Sequence, residues 1–571
     1  MENSEVARVL YEIADYLELQ GVAFKPQAYR RAASAIESLD RNISEFHSAG
    51  TLRDIPGVGE AIADKITELV TTGKLSYMEK LRAETPPGLL DLLAVPDIGP
   101  KKAMLLFKEL GIKSVDDLKK AIFDHRLQGL KGFGAKTEER ILQGIRVVES
   151  RGGRALIGSA YETSTAIIGR IRERHPDIKI SMAGSLRRMK ETIGDIDILV
   201  ASGEPVAVMD TFVSMDGVEE TVAKGETKSS VRLKTGIQVD LRVVPAGSWG
   251  AALQYFTGSK EHNVEIRKLA ISKGMKISEY GLFERDSGKE IAAMDEGEVY
   301  NKLGLQFIPP ELREDRGEIE AAARNSLPEL IGYDELKGDL HCHTEWSDAS
   351  GTIEEVWREA KKMGYEYVAI TDHSQSLKIA SGLSEGRLLE QIKEVKNIRE
   401  RLGPPWLFAG SEVDVLGDGS LDFPRNVLDE LDFAVMSVHS KFKMDEKAMT
   451  GRILAGLGDE KVKVFAHPTG RLIGQRVPYT FDFEKVVESA KDAGIALEIN
   501  SFPDRLDLSD VNVRRSIEIG AKISIDSDAH SPEQMELVRY GVATARRGWA
   551  SKSDIINAMP LSSLLKEWGL S

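Results

Sequence analysis

Two groups of side chains in this sequence have the types and spacing that metal-assisted chemistry on phosphate requires. The first lies in AGSLRRMKETIGDIDILVA (183–201) and IQVDLRVVP (237–245). Asp195 and Asp197 stand two apart in a strand-like run, so their carboxylates leave the same face, and Asp240 sits in a second strand able to lie alongside. Three convergent carboxylates can hold two divalent cations about 3.5–4 Å apart, which stabilises the attacking and leaving oxygens of an in-line displacement. All-oxygen ligation favours Mg2+ or Mn2+. Upstream, Gly184 and Ser185 can open a helix N-terminus toward a polyphosphate, and Arg188 can neutralise its charge.

The second group is rich in imidazole. Of ten histidines, His341, His343, His373, His439, His467 and His530 all fall after residue 340, joined by Asp348, Glu412 and Asp528. Each follows or ends a β-type run: KGDLHCH, YEYVAITDH, WLFAGSEVD, DFAVMSVH, KVFAHP, IALEIN and KISIDSDAH mark the strands. In a parallel barrel the C-terminal ends of all strands open on one face, so residues this far apart in sequence converge there. Mixed imidazole and carboxylate ligation suits Zn2+, Mn2+ or Fe2+. Such a cluster activates water near neutral pH and neutralises a phosphoester, so hydrolysis is the expected reaction. Cys342 alternates away from its flanking histidines and is expected to pack in the core.

The elements that must position these groups follow from periodicity. Residues 337–571 alternate apolar strands with amphipathic helices, the pattern of a parallel α/β barrel of about seven strands. Residues 156–245 mix strand signals with a preceding helix, a small α+β unit, and 1–155 reads as almost wholly helical. Three segments there repeat one another: LRDIPGVGEAIADKI, LLAVPDIGPKKAMLL and LKGFGAKTEERIL. Each runs from an apolar residue through a glycine turn into a helix, the helix-hairpin-helix pattern. The turn needs positive φ, and it lets a DNA backbone approach main-chain N–H groups at a helix N-terminus. The glycines concerned are Gly57, Gly59, Gly99, Gly132 and Gly134, with Asp97 standing where the outer copies have Gly57 and Gly132. The repetition points to sequence-independent DNA binding. The charged, Pro-containing stretch 309–330 is the linker candidate.

The chain has 571 residues, enough for several domains, with 42% hydrophobic and 29% charged residues. No apolar run reaches the roughly 18 residues of a membrane span, and the N-terminus lacks the pattern of a signal peptide. A single cysteine excludes an intramolecular disulfide framework and fits a reducing cytoplasm. The net charge of −15 provides no basic platform for nucleic acid. Any DNA must therefore be held through metals, backbone amides and local clusters such as Arg187, Arg188 and Lys190.

The GS…R…GDID pattern, Asp240 and YFTGSKEHNVEIR (255–267) resemble family X DNA polymerases, the group containing DNA polymerase beta. The resemblance runs from the first helices to about residue 310. It implies palm metal ligands Asp195, Asp197 and Asp240, and triphosphate contacts from Gly184, Ser185, Arg188 and Gly194. Tyr255 and Phe256 at Gly258 would exclude ribonucleotides, Asn263 would touch the base, and Arg267 the template. It further implies a lyase function with Lys65 as Schiff-base nucleophile and Lys25 as a phosphate-binding neighbour, although Ala61 occupies a second supporting lysine position. Gln238 stands where relatives often have an arginine, and Lys260 where they have an acidic residue.

The C-terminal half resembles a polymerase and histidinol phosphatase (PHP) domain with all nine ligand positions filled. The resemblance assigns His341, His343, Glu412 and Asp528 to one metal, Glu412, His439 and His467 to a second with Glu412 bridging, and Asp348, His373 and His530 to a third. The implied architecture is multidomain. It comprises a lyase-like helical domain (1–80), helical fingers with two further hairpins (81–155), a nucleotidyltransferase palm (156–245), a thumb (246–312), a linker (313–336) and a distorted TIM-like (β/α)7 barrel (337–571). The implied function is short-gap filling in base-excision repair with 3′–5′ exonuclease, 3′-phosphatase or abasic-site cleavage. The expected partners are gapped or nicked DNA and dNTPs, with no membrane, acting as a monomer. The alternatives are a small-molecule phosphatase or a non-catalytic scaffold in the PHP half.

Overall fold

The computed structural model describes residues 3–22, 25–37, 42–85, 89–95, 98–124, 126–127, 130, 133–134, 137–138, 141–142, 145 and 154–570. Two compact units emerge: residues 1–150 with 474–477, and residues 151–473 with 478–571.

The first unit is helical where it is described, and its three glycine turns repeat at the level of hydrogen bonds. Val58 N–H donates to Ile55 O at 3.0 Å, Ile98 to Val95 at 3.0 Å, and Phe133 to Leu130 at 3.1 Å. Each helix then opens with the same bond to a glycine carbonyl: Ala63 to Gly59, Ala103 to Gly99, Glu138 to Gly134. The apolar residue of each turn (Val58, Ile98, Phe133) is buried, whereas Gly59, Gly99 and Gly134 are exposed. Gly57 has φ +81°, and a Cβ there would press on the Ala32 backbone at 3.3 Å. Gly132 and Asp97 lie outside the described residues.

In the second unit the mixed sheet runs Lys179–Met182, Asp195–Ala201, Gln238–Val244, Lys228–Leu233, Val218–Lys224. Only the Asp195–Ala201 and Gln238–Val244 pair is parallel. Ile196, Ile198 and Val200 alternate inward and pack with Val239, Leu241 and Val243 beneath the helix Ile157–Arg174. That alternation turns the odd-numbered aspartates to the opposite face.

Parallel strands follow after residue 337. Gly338–Asp339, Tyr367–Ile370 and Trp406–Ala409 form one sheet; Glu412–Asp414, Ala434–Ser437, Val462–Phe465, Ala496–Asn500 and Ile523–Asp526 form another. The strand expected across 406–414 is thus broken at Gly410-Ser411. Gly410 N–H donates to Ile370 O on one side, and Ser411 O accepts from Val435 N–H on the other. A Cβ on Gly410 would meet Thr371 at 2.9 Å, so close strand approach accounts for the glycine. Beyond the sheets, Asp528 N–H donates to His341 O at 3.0 Å and His343 N–H to Ala529 O at 2.9 Å, which joins the first and last strand ends. The helix Ile353–Lys362 starts at a Thr352/Glu355 capping box and buries Ile353, Val356 and Trp357 against the strands.

The stretch 313–336 is not a linker. Arg313 is fully buried, donating to Glu296 at 2.6 Å and to Ile308 O at 2.9 Å. Glu318 opens the helix Glu318–Ala323 and binds His262 at 2.7 Å, both side chains being inaccessible. Two of its charges, Arg313 and Glu318, mark buried pairing, while Asp315, Arg316, Glu320, Arg324, Glu329 and Asp334 are exposed, which is why composition alone misplaces it. Among the described residues no helix is long and apolar enough to cross a membrane.

Candidate active sites

Strand register builds the carboxylate site. Asp197 pairs directly with Asp240 and Asp195 with Gln238 across the one parallel ladder, so Asp195, Asp197 and Asp240 share a face. Burial, then the charges of Asp195 and Asp240, push the Asp197 carboxyl up to about 7. Burial also acts to raise Asp240, but hydrogen bonds from Lys228, Gln238 and Ser230 outweigh it and hold the group below its ordinary value. Lys228 Nζ lies 2.8 Å from Oδ2, and Gln238 Nε2 2.9 Å from Oδ1. Burial and the two neighbouring carboxylates together disfavour an unaccompanied charge on Asp197, a cost that a divalent cation would relieve, and the all-oxygen donor set fits such an ion. Gly184, at φ +58°, lies so close that a Cβ would sit 2.1 Å from Asp197 Oδ2.

A cleft of about 490 Å³ opens over these groups. Its lining includes the expected nucleotide contacts Gly184, Ser185, Arg188, Tyr255, Phe256, Gly258 and Asn263, together with Asp195 and Asp197. Gly194 and Arg267 are not part of that lining. Gly194 packs on Arg154, whose Nη1 a Cβ would meet at 2.9 Å, and Arg267 is exposed on the helix Lys260–Ser272. Tyr255 and Phe256 meet edge to face at 5.1 Å. Asn263 is clamped, donating to Tyr255 O at 2.7 Å and accepting from Gln254 at 2.9 Å. Arg154, Lys190, Arg242 and Lys260 also line the cleft. Lys190 and Lys260 belong to the motif segments that carry the sequence reading, whereas Arg154 and Arg242 were assigned no role there, because their place depends on chain pairings hidden from local spacing. Arg187 turns away into a forked pair with Glu296.

All nine expected ligands of the C-terminal half converge. Glu412 sits at the centre: Oε2 lies 3.5 Å from His341, 3.6 Å from His343 and 2.6 Å from His373, while Oε1 lies 3.4 Å from His439 and 2.9 Å from His467. Asp528 Oδ1 lies 2.9 Å from His343 Nε2 and 3.6 Å from His341. Asp348 Oδ1 faces His373 at 3.7 Å and His530 at 3.5 Å. Ligand atoms close enough to share an ion form the sets His343/Asp348/His373/His530, His341/His343/Asp528 and His373/Glu412/His439.

The carboxylates draw positive charge into this cluster: burial acts to lower His341, His373 and His530, but the carboxylates outweigh it and hold them above the ordinary imidazole value, a demand that divalent cations would meet. His341 Nε2 and His343 Nε2 face each other at 3.1 Å, and Glu412 Oε2 and Asp528 Oδ1 are buried without a directed hydrogen bond. Burial, then His373 and His530, hold His343 down to about 3, so its lone pair is free for a metal at neutral pH. Outer groups aim the ligands. Glu498 accepts from His341 Nδ1 and from His467 N–H, both at 2.6 Å. Asp414 lies 3.1 Å from His439 Nδ1, and Asn500 donates to Asp528 at 2.7 Å. The sequence reading gave no role to Glu498, Asp414 or Asn500, although two polar residues inside the apolar run IALEIN were a usable signal. Cys342 is buried in the core, as expected.

In the helical unit Lys25 is exposed at the start of the helix Lys25–Glu37. Lys65 Nζ donates to Ala61 O at 3.0 Å and stands 4.7 Å from the Tyr77 ring centroid.

Comparison with known proteins agrees with this geometry. Residues 1–75 match the helix-hairpin-helix domain, 89–146 the SAM-like helix-hairpin-helix tandem, 252–314 the DNA polymerase beta thumb and 339–502 the PHP domain. The DNA polymerase/3′-5′ exonuclease PolX of Bacillus subtilis (strain 168) is 38% identical over 567 residues, 99% of each chain. The DNA polymerase lambda of Rattus norvegicus is 24% identical over 55% of this chain and 56% of its own length, and that of Arabidopsis thaliana 26% over 54% and 62%.

Proposed function

Because the chain belongs to the family X DNA polymerases that carry a C-terminal PHP domain, we propose that it fills short gaps during base-excision repair and trims the same DNA ends. It is a DNA polymerase and a 3′–5′ exonuclease that uses divalent metals. The observation that carries the reading is that one folded unit contains both a three-carboxylate face around Asp197 and a nine-ligand cluster around Glu412.

In the polymerase site Asp195, Asp197 and Asp240 would hold Mg2+ or Mn2+, which supply charge neutralisation for the triphosphate and acidify the primer 3′-hydroxyl. Ser185 and Arg188 receive the phosphates, the Tyr255–Phe256 pair walls the sugar, and Asn263, fixed by Gln254, presents its amide to the base. In the nuclease site the nine residues would hold three divalent ions of the Zn2+, Mn2+ or Fe2+ type, which supply water activation and neutralise the phosphodiester. By the resemblance His341, His343, Glu412 and Asp528 would hold one ion, Glu412, His439 and His467 a second, and Asp348, His373 and His530 a third, whereas ligand-atom distances place His343 with Asp348, His373 and His530, and His373 with Glu412 and His439. Glu498 and Asp414 hold the rings in the orientation that points nitrogen lone pairs inward.

Within the domain division proposed from sequence, residues 337–571 close as a distorted (β/α)7 barrel, supported by the hydrogen bonds between residues 341–343 and 528–529. The glycine turns at Gly57, Gly59, Gly99 and Gly134, with Gly132, hold the DNA backbone, aided by Lys25 and by Arg267 on the template. Lys65 is the candidate lyase nucleophile. The test is a gapped duplex assayed with Asp197→Ala and His341→Ala. The first variant is expected to lose extension and keep degradation, the second the reverse; loss of both activities in either variant overturns the assignment of two sites.

A further inference from the structure

We propose that Arg547, an arginine of the nuclease half, is a positioning residue for nucleotide binding in the polymerase half. The inference rests on the reading of the cleft around Arg188 as the triphosphate site. Arg188 donates from Nε to Glu314 Oε1 at 3.0 Å and from Nη1 to Thr257 O at 2.6 Å, while its guanidinium lines the cleft. Nη2 makes no hydrogen bond among the described residues and can donate to a phosphate oxygen. Where that nitrogen points is therefore set by Glu314.

Glu314 is in turn held from the other half of the molecule. Arg547 ends the helix Val538–Arg547, and its side chain is only 5% exposed. Its Nη1 donates to the same Glu314 Oε1 at 3.0 Å and to the main-chain carbonyl of Arg188 at 2.8 Å. Its Nη2 donates to Asp510 Oδ2 at 2.8 Å, and Asp510 also accepts from Arg316 at 3.0 Å. One buried fork thus fixes both the backbone of Arg188 and the carboxylate that orients its side chain. Burial acts to raise the Glu314 carboxyl, but Arg547 first, then Arg188 and Lys190, hold it below its ordinary value.

The charge balance gives this geometry a consequence for substrate. Arg188, Arg316 and Arg547, with Lys190 at 3.9 Å from Glu314, face two carboxylates, Glu314 and Asp510. Because Arg547 shares Glu314, part of the Arg188 charge is left uncompensated for an incoming anion. Without Arg547, Glu314 closes on Arg188 alone and competes with the triphosphate. Only nucleotide affinity should suffer, since Arg547 touches neither the three aspartates nor the nine nuclease ligands by any hydrogen bond it makes.

The test uses the full chain with Arg547→Met in single-nucleotide gap filling. The KM for dNTP should rise about tenfold or more while kcat stays within about threefold, with exonuclease activity on the same DNA unchanged. Arg547→Lys, which keeps the charge but not the forked donors, should recover part of that loss, with a KM within about threefold of the parent. A KM unchanged in both variants overturns the proposal, as does a parallel fall of polymerase and exonuclease activity, which is the signature of a purely structural interface. If Arg547→Met does not fold, Arg547→Lys carries the test alone: a KM rise of about two- to threefold with intact exonuclease supports it, and an unchanged KM refutes it. A parent chain unable to extend the gap would refute the polymerase reading itself, a result separate from either variant's.

Discussion

Gly184→Ala should disable the polymerase site while sparing the nuclease. The backbone there has φ +58°, a region that costs an L-residue roughly 1–2 kcal/mol. The larger effect is steric: the new Cβ would lie 2.1 Å from Asp197 Oδ2, where ordinary contact begins at 3.4 Å, so carboxylate or backbone must yield by about 1.3 Å. Asp197 has little room on the other side, because it stands in register with Asp240 in a ladder whose neighbours Ile196 and Ile198 are core residues. A displacement near 1 Å of a group that positions reacting atoms costs on the order of 100-fold in rate. The assay is gap filling across a Mg2+ titration, with exonuclease activity and melting temperature measured on the same preparation. We expect kcat to fall about 100-fold, the apparent Mg2+ requirement to rise, and the exonuclease to remain at parent level. Extension within about threefold of the parent would refute the claim that the closeness of Gly184 to Asp197 is what permits the ligand geometry.

Glu498→Gln should lower exonuclease activity or its metal affinity by about 10–100-fold, the usual penalty for losing an outer partner of a ligating histidine, and leave extension intact. A metal titration of the exonuclease checks it, and an unshifted curve argues that His341 is oriented without Glu498. The acid limb of stability is set partly by buried carboxylates where the two halves meet: burial acts to raise Glu311, but Arg546 and Tyr333 outweigh it and hold it low, and Glu314 and Asp510 are likewise held low by Arg547 against burial. A depressed folded value means the native state binds fewer protons, so this stabilisation is complete above the unfolded carboxyl range of about 4 and is lost as pH falls from there through the lower folded values. Glu311→Gln should therefore flatten the fall of melting temperature below about pH 4.5, compared with the parent chain. Parallel pH profiles would show that Glu311 contributes nothing to it.

What could be read from sequence was what depends on local period. Asp195 and Asp197 share a face because side chains alternate along a strand, and the six histidines converge because each follows the C-terminal end of a parallel strand. The three glycine turns were visible as copies, and their hydrogen bonds repeat in the described residues. What stayed hidden depends on partners far along the chain. Lys228 neutralises Asp240 only because the strand Lys228–Leu233 pairs antiparallel with Gln238–Val244. Arg547 reaches Glu314 across more than two hundred residues. The stretch 313–336 carries the composition of a solvated connection, and nothing local announces that Arg313 meets Glu296 and Glu318 meets His262 in the interior. Gly410 was a visible warning that the run 406–414 would break, since glycine within a strand pattern marks a bulge or a close approach.

The net charge of −15 and a nucleic acid substrate are reconciled by where the charges sit. In the helical unit the exposed glycines of the turns precede helix N-termini, so sequence-independent backbone contact through main-chain N–H groups would need no basic surface. In the cleft, Arg154, Arg188, Lys190, Arg242 and Lys260 surround the aspartates, a local positive lining within an acidic protein. The carboxylates are nonetheless clustered where cations would sit: three share one face, and Asp348, Glu412 and Asp528 stand among imidazoles. The two donor sets also differ in kind. Oxygen-only ligation selects hard ions, and imidazole-rich ligation selects borderline ones. One folded unit can thereby carry nucleotide addition and 3′–5′ hydrolysis on two separate donor sets.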